Sequence, residues 1–214
     1  MSPRATSRRS STSNRESLVF ADVTDAWSYI GATRFERAAA TFTIVTGEPV
    51  DLSFRARLCD PAEPSAGEQE LVTSAARITG IDLNFAEVVP AASFDAWRVL
   101  TWAEEAGPGV QRDLAHQLWR AHFLEGADIA DPLVLSTRAA LVGLDLETTE
   151  ALLASDEYAA ETRTQDETAR SLGITQLPHV VVETTWTLAG VQSQNDYVEA
   201  LRQIHREWTA EGDG

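Results

Sequence analysis

The chain has 214 residues, with 33 acidic and 17 basic side chains, and its formal net charge is −16. This charge argues against nucleic acid as a partner, because phosphate backbones attract clustered cations. No apolar run reaches the roughly 20 residues of a membrane-spanning helix, and no apolar secretory signal opens the sequence, so we expect a cytoplasmic protein that does not enter membranes. The single cysteine, Cys59, excludes an intrachain disulfide and a cysteine-rich metal site, and no metal site is predicted.

The first part of the chain predicts a tail, a strand, a helix and a second strand. Residues 1–17 are rich in arginine and serine and contain no bulky apolar residue after Met1, which predicts a disordered tail. An apolar run at 18–21 followed by good helix formers predicts a strand and then a helix. The alternation of apolar and polar residues over 52–58 predicts another strand with one buried face.

The middle of the chain carries an almost continuous helical pattern, and two short β-branched runs and a final helix follow it. The predicted helices are 68–79, 94–106, 110–125, 132–142, 147–154, 156–172 and 194–208, and the late strands are 180–182 and 185–188. Residues 210–214 are predicted to be a frayed tail. The order β-α-β, inserted helices, β-β-α is that of an α/β, thioredoxin-like fold. Its domain would comprise residues 18–67 and 174–209, with an inserted helical subdomain at 68–173.

The stretch Asp22–Gly31 joins the first strand to the first helix and contains Trp27 at the turn. The first turn of a helix presents backbone N–H groups and the positive end of the helix dipole, which together favour an anion. Asp25 is also a common N-cap residue, and in that role it would stabilise the helix by about 1 kcal/mol. The sequence leaves open whether Asp25 only caps the helix or also takes part in a site at the start of the helix.

Four stretches of the chain carry a combined resemblance to known sequences. They are similar to a D-V-x-C-P-W-C-Y-I-G corner (residues 22–31), a T-x-D-A-H-R-L-x-x-W-A helix (93–103), an F-x-E-G-x-D-I-x-D turn (123–131) and a G-I-x-G-V-P segment (173–178). In this combination the chain resembles the FrnE-type branch of the DsbA family. The resemblance implies a thioredoxin-like fold in which a cis-proline loop faces the corner across a cleft.

The corner departs from the family where the family is reactive. Asp25 and Ser28 stand in place of its two cysteines, and Ala26 stands in place of the proline between them. Thiol–disulfide exchange needs a thiolate and a resolving thiol, so the departures predict that dithiol chemistry is lost. Trp97 stands in place of a family histidine, which predicts a reshaped pocket.

The resemblance also supplies candidate site residues. Asp25, Ser28 and His179 are the candidate catalytic residues, because His179 follows the cis-proline segment and is expected to face the corner. An Asp25–His179 pair would suit acid–base chemistry. The candidate substrate-binding residues share an expected place at the corner or the cleft: they are Trp27, Tyr29, Trp97, Leu177 and Pro178.

The first functional hypothesis is a non-redox enzyme or binding protein for a small aromatic molecule in bacterial secondary, polyketide-like metabolism, by analogy with FrnE-type proteins. The alternative is an inactive pseudoenzyme that binds a peptide or a partner protein along the cis-proline groove. A lesser alternative is a small-thiol-dependent isomerase or transferase resembling 2-hydroxychromene-2-carboxylate isomerase. That activity would use glutathione or mycothiol, and otherwise no cofactor is expected. The sequence leaves a monomer and a homodimer open.

Overall fold

The computed structural model describes residues 15–60 and 65–212, which form the mixed α/β, thioredoxin-like fold that the element order predicts. In chain order the elements are β1 (Arg15–Ala21), α1 (Ala26–Thr46), β2 (Val50–Ala56), α2 (Ala66–Thr79), α3 (Phe94–Glu105), α4 (Val110–Phe123), α5 (Pro132–Leu141), α6 (Leu146–Leu153), α7 (Ala159–Ser171), β3 (His179–Val182), β4 (Trp186–Ala189) and α8 (Gln194–Gly212). None of these helices is both long and apolar enough to cross a membrane.

The strands form one sheet in the order β2-β1-β3-β4. β1 runs parallel to β2 and antiparallel to β3, so that Val19 lies opposite Phe54 on one side and Val180 on the other. These three side chains are fully buried in the core. Because β1 and β2 are parallel, their carboxyl ends lie at the same edge of the sheet. The residues that follow them, including Asp22 and Cys59, therefore meet there.

Side chains of the helical subdomain cover the outer edge of β2. Gln111 of α4 accepts a hydrogen bond from the N–H of Phe54 (2.8 Å) and donates one to its carbonyl (3.1 Å). Gln165 of α7 accepts a hydrogen bond from the N–H of Ala56 at 2.9 Å. An unpaired strand edge readily pairs with other chains. These side chains satisfy that edge and fix the inserted helices against the sheet.

Helix α1 contacts the loop that precedes β3. The Leu177–Pro178 peptide bond in this loop is cis. Gly31 of α1 lies so close to the proline that a Cβ atom built on it would be 2.3 Å from Pro178 Cγ. A side chain at position 31 would therefore separate the helix from the loop.

Both predicted tails are wrong at their inner ends. β1 begins at Arg15, and Ser17 is fully buried, so the tail predicted for residues 1–17 includes three residues of a strand. The rest of that prediction, residues 1–14, lies outside the described residues. α8 continues to Gly212, because residues 210–212 extend the helix rather than fray, and the remainder of the predicted tail again lies outside the described residues.

Most other boundaries differ from the predicted ones by one to three residues, and two of these differences have a clear physical cause. β2 ends at Ala56 rather than 58, since the N–H of Leu58 donates to Asp166 Oδ1 (2.9 Å) and not to a neighbouring strand. α2 begins at Ala66 rather than 68, because Ser65 and Glu68 form a capping box that starts the helix earlier.

Candidate functional site

Asp22 lies at the centre of the corner between β1 and α1. Its buried carboxylate accepts hydrogen bonds from the N–H of Cys59 (2.5 Å), the N–H of Thr24 (3.2 Å) and the indole of Trp97 (3.3 Å). Desolvation by burial raises the pKa of this carboxyl, and the bond from the Cys59 N–H is the main effect that opposes the rise. The carboxyl thus joins the loop after β2 and helix α3 to the corner.

The backbone of Asp22 adds a second set of bonds. Its carbonyl accepts a hydrogen bond from the indole of Trp119 at 3.0 Å, and its N–H donates to Ser28 Oγ at 3.1 Å. Trp97 belongs to α3 and Trp119 to α4, and both rings are buried. Two helices of the inserted subdomain therefore donate an indole N–H to the same residue.

Asp25 is the N-cap of α1. Its Oδ2 accepts hydrogen bonds from the N–H and the Oγ of Ser28, both at 2.7 Å. Ser28 is fully buried, and its hydroxyl also accepts the bond from Asp22, so the predicted catalytic role of Ser28 has no geometry to support it. Asp25 is half-buried, and desolvation raises the pKa of its carboxyl to about 6 against the opposing bonds from Ser28.

A pocket of about 520 Å³ opens beside Asp25, and we call it the corner pocket. Its volume lies within the range of about 300–1,000 Å³ that is usual for small-molecule sites. Its larger apolar lining residues are Trp27, Val72, Phe85, Val88, Pro90 and Phe123. Its polar or ionisable lining residues are Thr24, Asp25, Cys59, Asp60, Glu68, Gln69 and His122.

A second, more open depression of about 620 Å³ shares Asp25, Trp27 and Cys59 with the corner pocket. We call it the proline groove, because its other walls are residues 175–177, directly before Pro178, and residues 189–192, at the end of β4 and just after it. Trp27 is half-buried and contributes to both depressions. It therefore lies where a ligand of either depression would touch it.

Two of the predicted substrate-binding residues, Tyr29 and Trp97, lie in the core. Tyr29 stacks on Trp119, with ring centroids 5.4 Å apart and an angle of 11° between the planes. Trp97 is 1% exposed and uses its indole N–H on Asp22. Neither ring lines the corner pocket or the proline groove, whereas Leu177 lines the groove. Pro178 is buried against Gly31.

His179 does not meet Asp25 in the described structure. It begins β3 and alternates with the core residue Val180, so it shares the opposite face of the strand with Val181. His179 lines neither depression, and its ring forms no hydrogen bond with Asp25 or Ser28. Burial lowers the pKa of His179. The predicted acid–base pair is therefore not formed.

Cys59 and His122 are among the residues of the corner pocket that are absent from the predicted site. The predicted order β-α-β implies that β1 and β2 are parallel. Parallel strands bring Cys59, which follows β2, next to Asp22, which follows β1, so the sequence held a signal for its place at the corner. Burial and the nearby carboxylates of Asp22 and Asp25 raise the pKa of its thiol to about 12, so it stays protonated at neutral pH. His122 lies four residues after Leu118 on α4, so the two side chains share one face of the helix. This spacing is visible in the sequence and predicts that His122 is buried.

Within residues 15–60 and 65–212, no group of three or more His, Cys, Asp or Glu side chains is arranged to hold a metal ion.

The fold and the corner together place the chain in a known class. A family model for the DSBA-like thioredoxin domain matches residues 18–202, and the chain belongs to this family. With Cys59 as its single cysteine, it lacks the cysteine pair that the resemblance would place at Asp25 and Ser28.

Solved structures agree with this assignment. A probable DsbA oxidoreductase from Streptomyces coelicolor has a TM-score of 0.78 and 24% identity, and the match covers 91% of each chain. The cytosolic disulfide reductase DsbM from Pseudomonas aeruginosa with GSH has a TM-score of 0.65 and 20% identity over 89% of this chain and 99% of that one. A 2-hydroxychromene-2-carboxylate isomerase has a TM-score of 0.56 and 14% identity over 92% and 98%. Likenesses at these identities show the fold. No curated protein matches the chain.

Proposed function

We propose that this chain binds a small aromatic molecule in the corner pocket and is a non-redox member of its family. The observation that carries the proposal is the position of Trp27 on the wall of a pocket of about 520 Å³. At the same corner, Asp25 and Ser28 replace the reactive cysteines, and neither side chain can form a disulfide. The apolar faces of Trp27, Phe85 and Phe123 favour a flat aromatic ligand.

If the ligand is a substrate, we expect the carboxyl group of Asp25 to transfer a proton to it or from it. Its pKa of about 6 suits exchange near neutral pH. Both bonds from Ser28 end on Oδ2, and Asp25 lines the corner pocket. We place this chemistry in bacterial secondary metabolism of polyketide-like aromatic compounds, on the family resemblance.

A small-thiol cofactor is the weaker candidate. DsbM with GSH and the isomerase share the fold. However, an ionised Asp25 would repel a bound thiolate rather than stabilise it. Ser28, the one hydroxyl-bearing residue among residues 25–28, is fully buried, and its hydroxyl donates to Asp25. These two facts favour an aromatic ligand without a thiol.

A thermal-shift screen tests the proposal, with aromatic compounds, glutathione and mycothiol tested against wild type, Trp27→Ala and the control Trp186→Ala. Trp186 lies on β4 and lines neither depression. We expect an aromatic compound to raise the melting temperature of wild type and of the control but not of Trp27→Ala. Stabilisation of all three proteins alike, or stabilisation by thiols alone, would contradict the proposal.

Peptide binding along the proline groove is the second candidate. Thr175 and Gln176 are exposed, and the backbone N–H of Leu177 forms no hydrogen bond with the described residues. An extended peptide could pair with such a segment. Fluorescence polarisation with labelled extended peptides would favour this candidate if Leu177→Asp abolished binding while Ala86→Trp, which fills the corner pocket alone, did not.

A further inference from the structure

Among the described residues that line the corner pocket, His122 carries a buried polar atom without a partner. His122 of α4 is 3% exposed, and its Nδ1 has no hydrogen-bond partner among the described residues. Its ring meets the ring of Phe123 edge to face, with centroids 4.6 Å apart. Buried polar atoms almost always have a partner. His122 lines the corner pocket, so a ligand bound there is the candidate partner for this nitrogen.

The protonation of His122 limits what that ligand group can be. Burial lowers the pKa of His122 to about 4, although Asp128 opposes the shift, so the imidazole is neutral near pH 7. A neutral imidazole has one N–H donor and one acceptor nitrogen. A ligand hydroxyl can donate and accept, so it satisfies Nδ1 in either tautomer.

The charge of the pocket limits the rest of the ligand. Asp25, Asp60 and Glu68 line it, and none of its described lining residues is an arginine or a lysine. An anionic ligand would be repelled by these carboxylates, whereas a cation would be attracted. The apolar walls formed by Trp27 and Phe123 suit an aromatic ring.

We propose, on the basis of the proposed function, that the corner pocket selects hydroxylated aromatic amines and that His122 is the residue that recognises the hydroxyl. The ring of the ligand packs between Trp27 and Phe123. The ammonium group faces the carboxylates of Asp60 and Glu68. The hydroxyl pairs with His122 Nδ1.

Isothermal titration with three matched probes tests this inference. Tyramine has the hydroxyl and the ammonium, phenethylamine lacks the hydroxyl, and 3-(4-hydroxyphenyl)propionate replaces the ammonium with a carboxylate. We expect tyramine to bind about tenfold more tightly than phenethylamine, because one hydrogen bond to a buried group is at stake. The propionate should bind at least about tenfold more weakly than tyramine.

Three variants separate the contribution of the ligand's hydroxyl to binding from that of its ammonium group. His122→Phe keeps an aromatic ring and removes both nitrogens, so it should abolish the preference for tyramine over phenethylamine without weakening phenethylamine. His122→Asn, which keeps a donor and an acceptor, should restore part of that preference. Asp60→Asn should reduce the preference for amine over carboxylate and leave the hydroxyl preference unchanged.

An equal hydroxyl preference in wild type and His122→Phe would overturn the inference, and so would a failure of tyramine to bind. If the propionate binds in a way that depends on Trp27 and tyramine does not bind, the inference falls while the proposed function stands. If no aromatic compound binds in a way that depends on Trp27, both fall.

Discussion

The Asp22 carboxylate shows how a single side chain can organise a corner. Its hydrogen-bond donors include groups of the corner itself, of the loop after β2 and of α3. The burial that raises its pKa also means that water cannot replace the carboxylate if it is removed. The donors around Asp22 would then be left without a partner.

We therefore expect Asp22→Ala to lower the free energy of unfolding by about 3 kcal/mol, since the N–H of Cys59 and the indole of Trp97 lose their acceptor. Urea unfolding followed by tryptophan fluorescence measures this loss. Asp51→Ala is the matched control, because Asp51 is exposed on β2 and should change stability by less than about 0.5 kcal/mol. Equal effects of the two substitutions would refute the role given to Asp22.

Asp25 should leave a signature in the pH dependence of stability. Its pKa is raised from 3.8 to about 6 in the folded protein. Between these two pH values the folded state binds more protons than the unfolded state, so the free energy of unfolding falls as the pH rises. Asp25→Asn removes this contribution and can keep the cap, because asparagine is also a good N-cap.

The variant should thus gain stability relative to wild type between pH 4 and pH 7, by on the order of 1–2 kcal/mol, since partial exposure of Asp25 reduces the full effect of the shift. Urea titrations at a series of pH values give the difference. Asp51→Asn serves as the exposed control. A difference between Asp25→Asn and wild type that stays constant with pH, or that changes in the opposite direction, would rule out a raised pKa.

At the level of elements, the contact between α1 and the proline loop depends on Gly31. In an ordinary helix interior, Gly→Ala stabilises by about 1 kcal/mol. Here the new Cβ would lie 2.3 Å from Pro178 Cγ and 2.7 Å from its Cδ. The clash should reverse the sign, so we expect Gly31→Ala to destabilise the protein by about 2 kcal/mol.

Thermal denaturation compares Gly31→Ala with Gly67→Ala. Gly67 lies in the first turn of α2, with no atom of the described residues within 4 Å of a built Cβ, so its substitution should be neutral or mildly stabilising. If Gly31→Ala were as stable as Gly67→Ala, the close contact between helix and loop would not exist.

The elements were largely predictable from the sequence, and the site was predictable only in part. Hydrophobic periodicity is a local property, and it located the strands and the helices to within a few residues. The places of Tyr29, Trp97 and His179 depend on which face of an element is buried in the assembled fold, which a local pattern does not fix. Trp97 is the clearest case, because its carboxylate partner lies 75 residues earlier in the chain.

At the level of the whole molecule, the helices between β2 and β3 and the corner between β1 and α1 form the walls of one site. α3 and α4 reach the corner through Trp97 and Trp119, while Gln111 and Gln165 cover the edge of β2. The corner pocket takes residues from the corner between β1 and α1, such as Asp25, and from α4, such as His122. The pocket therefore depends on how the helices between β2 and β3 pack against this corner.

The whole protein should show no dithiol chemistry. With one cysteine, whose thiol has a pKa of about 12, it should reduce a disulfide substrate such as insulin no faster than buffer with dithiothreitol. The double variant Asp25→Cys/Ser28→Cys is the positive control, because it restores a cysteine pair at the start of α1 and should raise the rate. Turnover by wild type above background would contradict this expectation.

Fluorine NMR of protein labelled with 5-fluorotryptophan tests the central claim, ligand binding at Trp27, most directly. The resonance of Trp27, assigned with Trp27→Phe, should shift on addition of an aromatic compound that stabilises the protein, while that of Trp186 should not. If the Trp27 resonance stayed in place while the compound bound, the ligand site would lie elsewhere and the account of the corner pocket would be wrong.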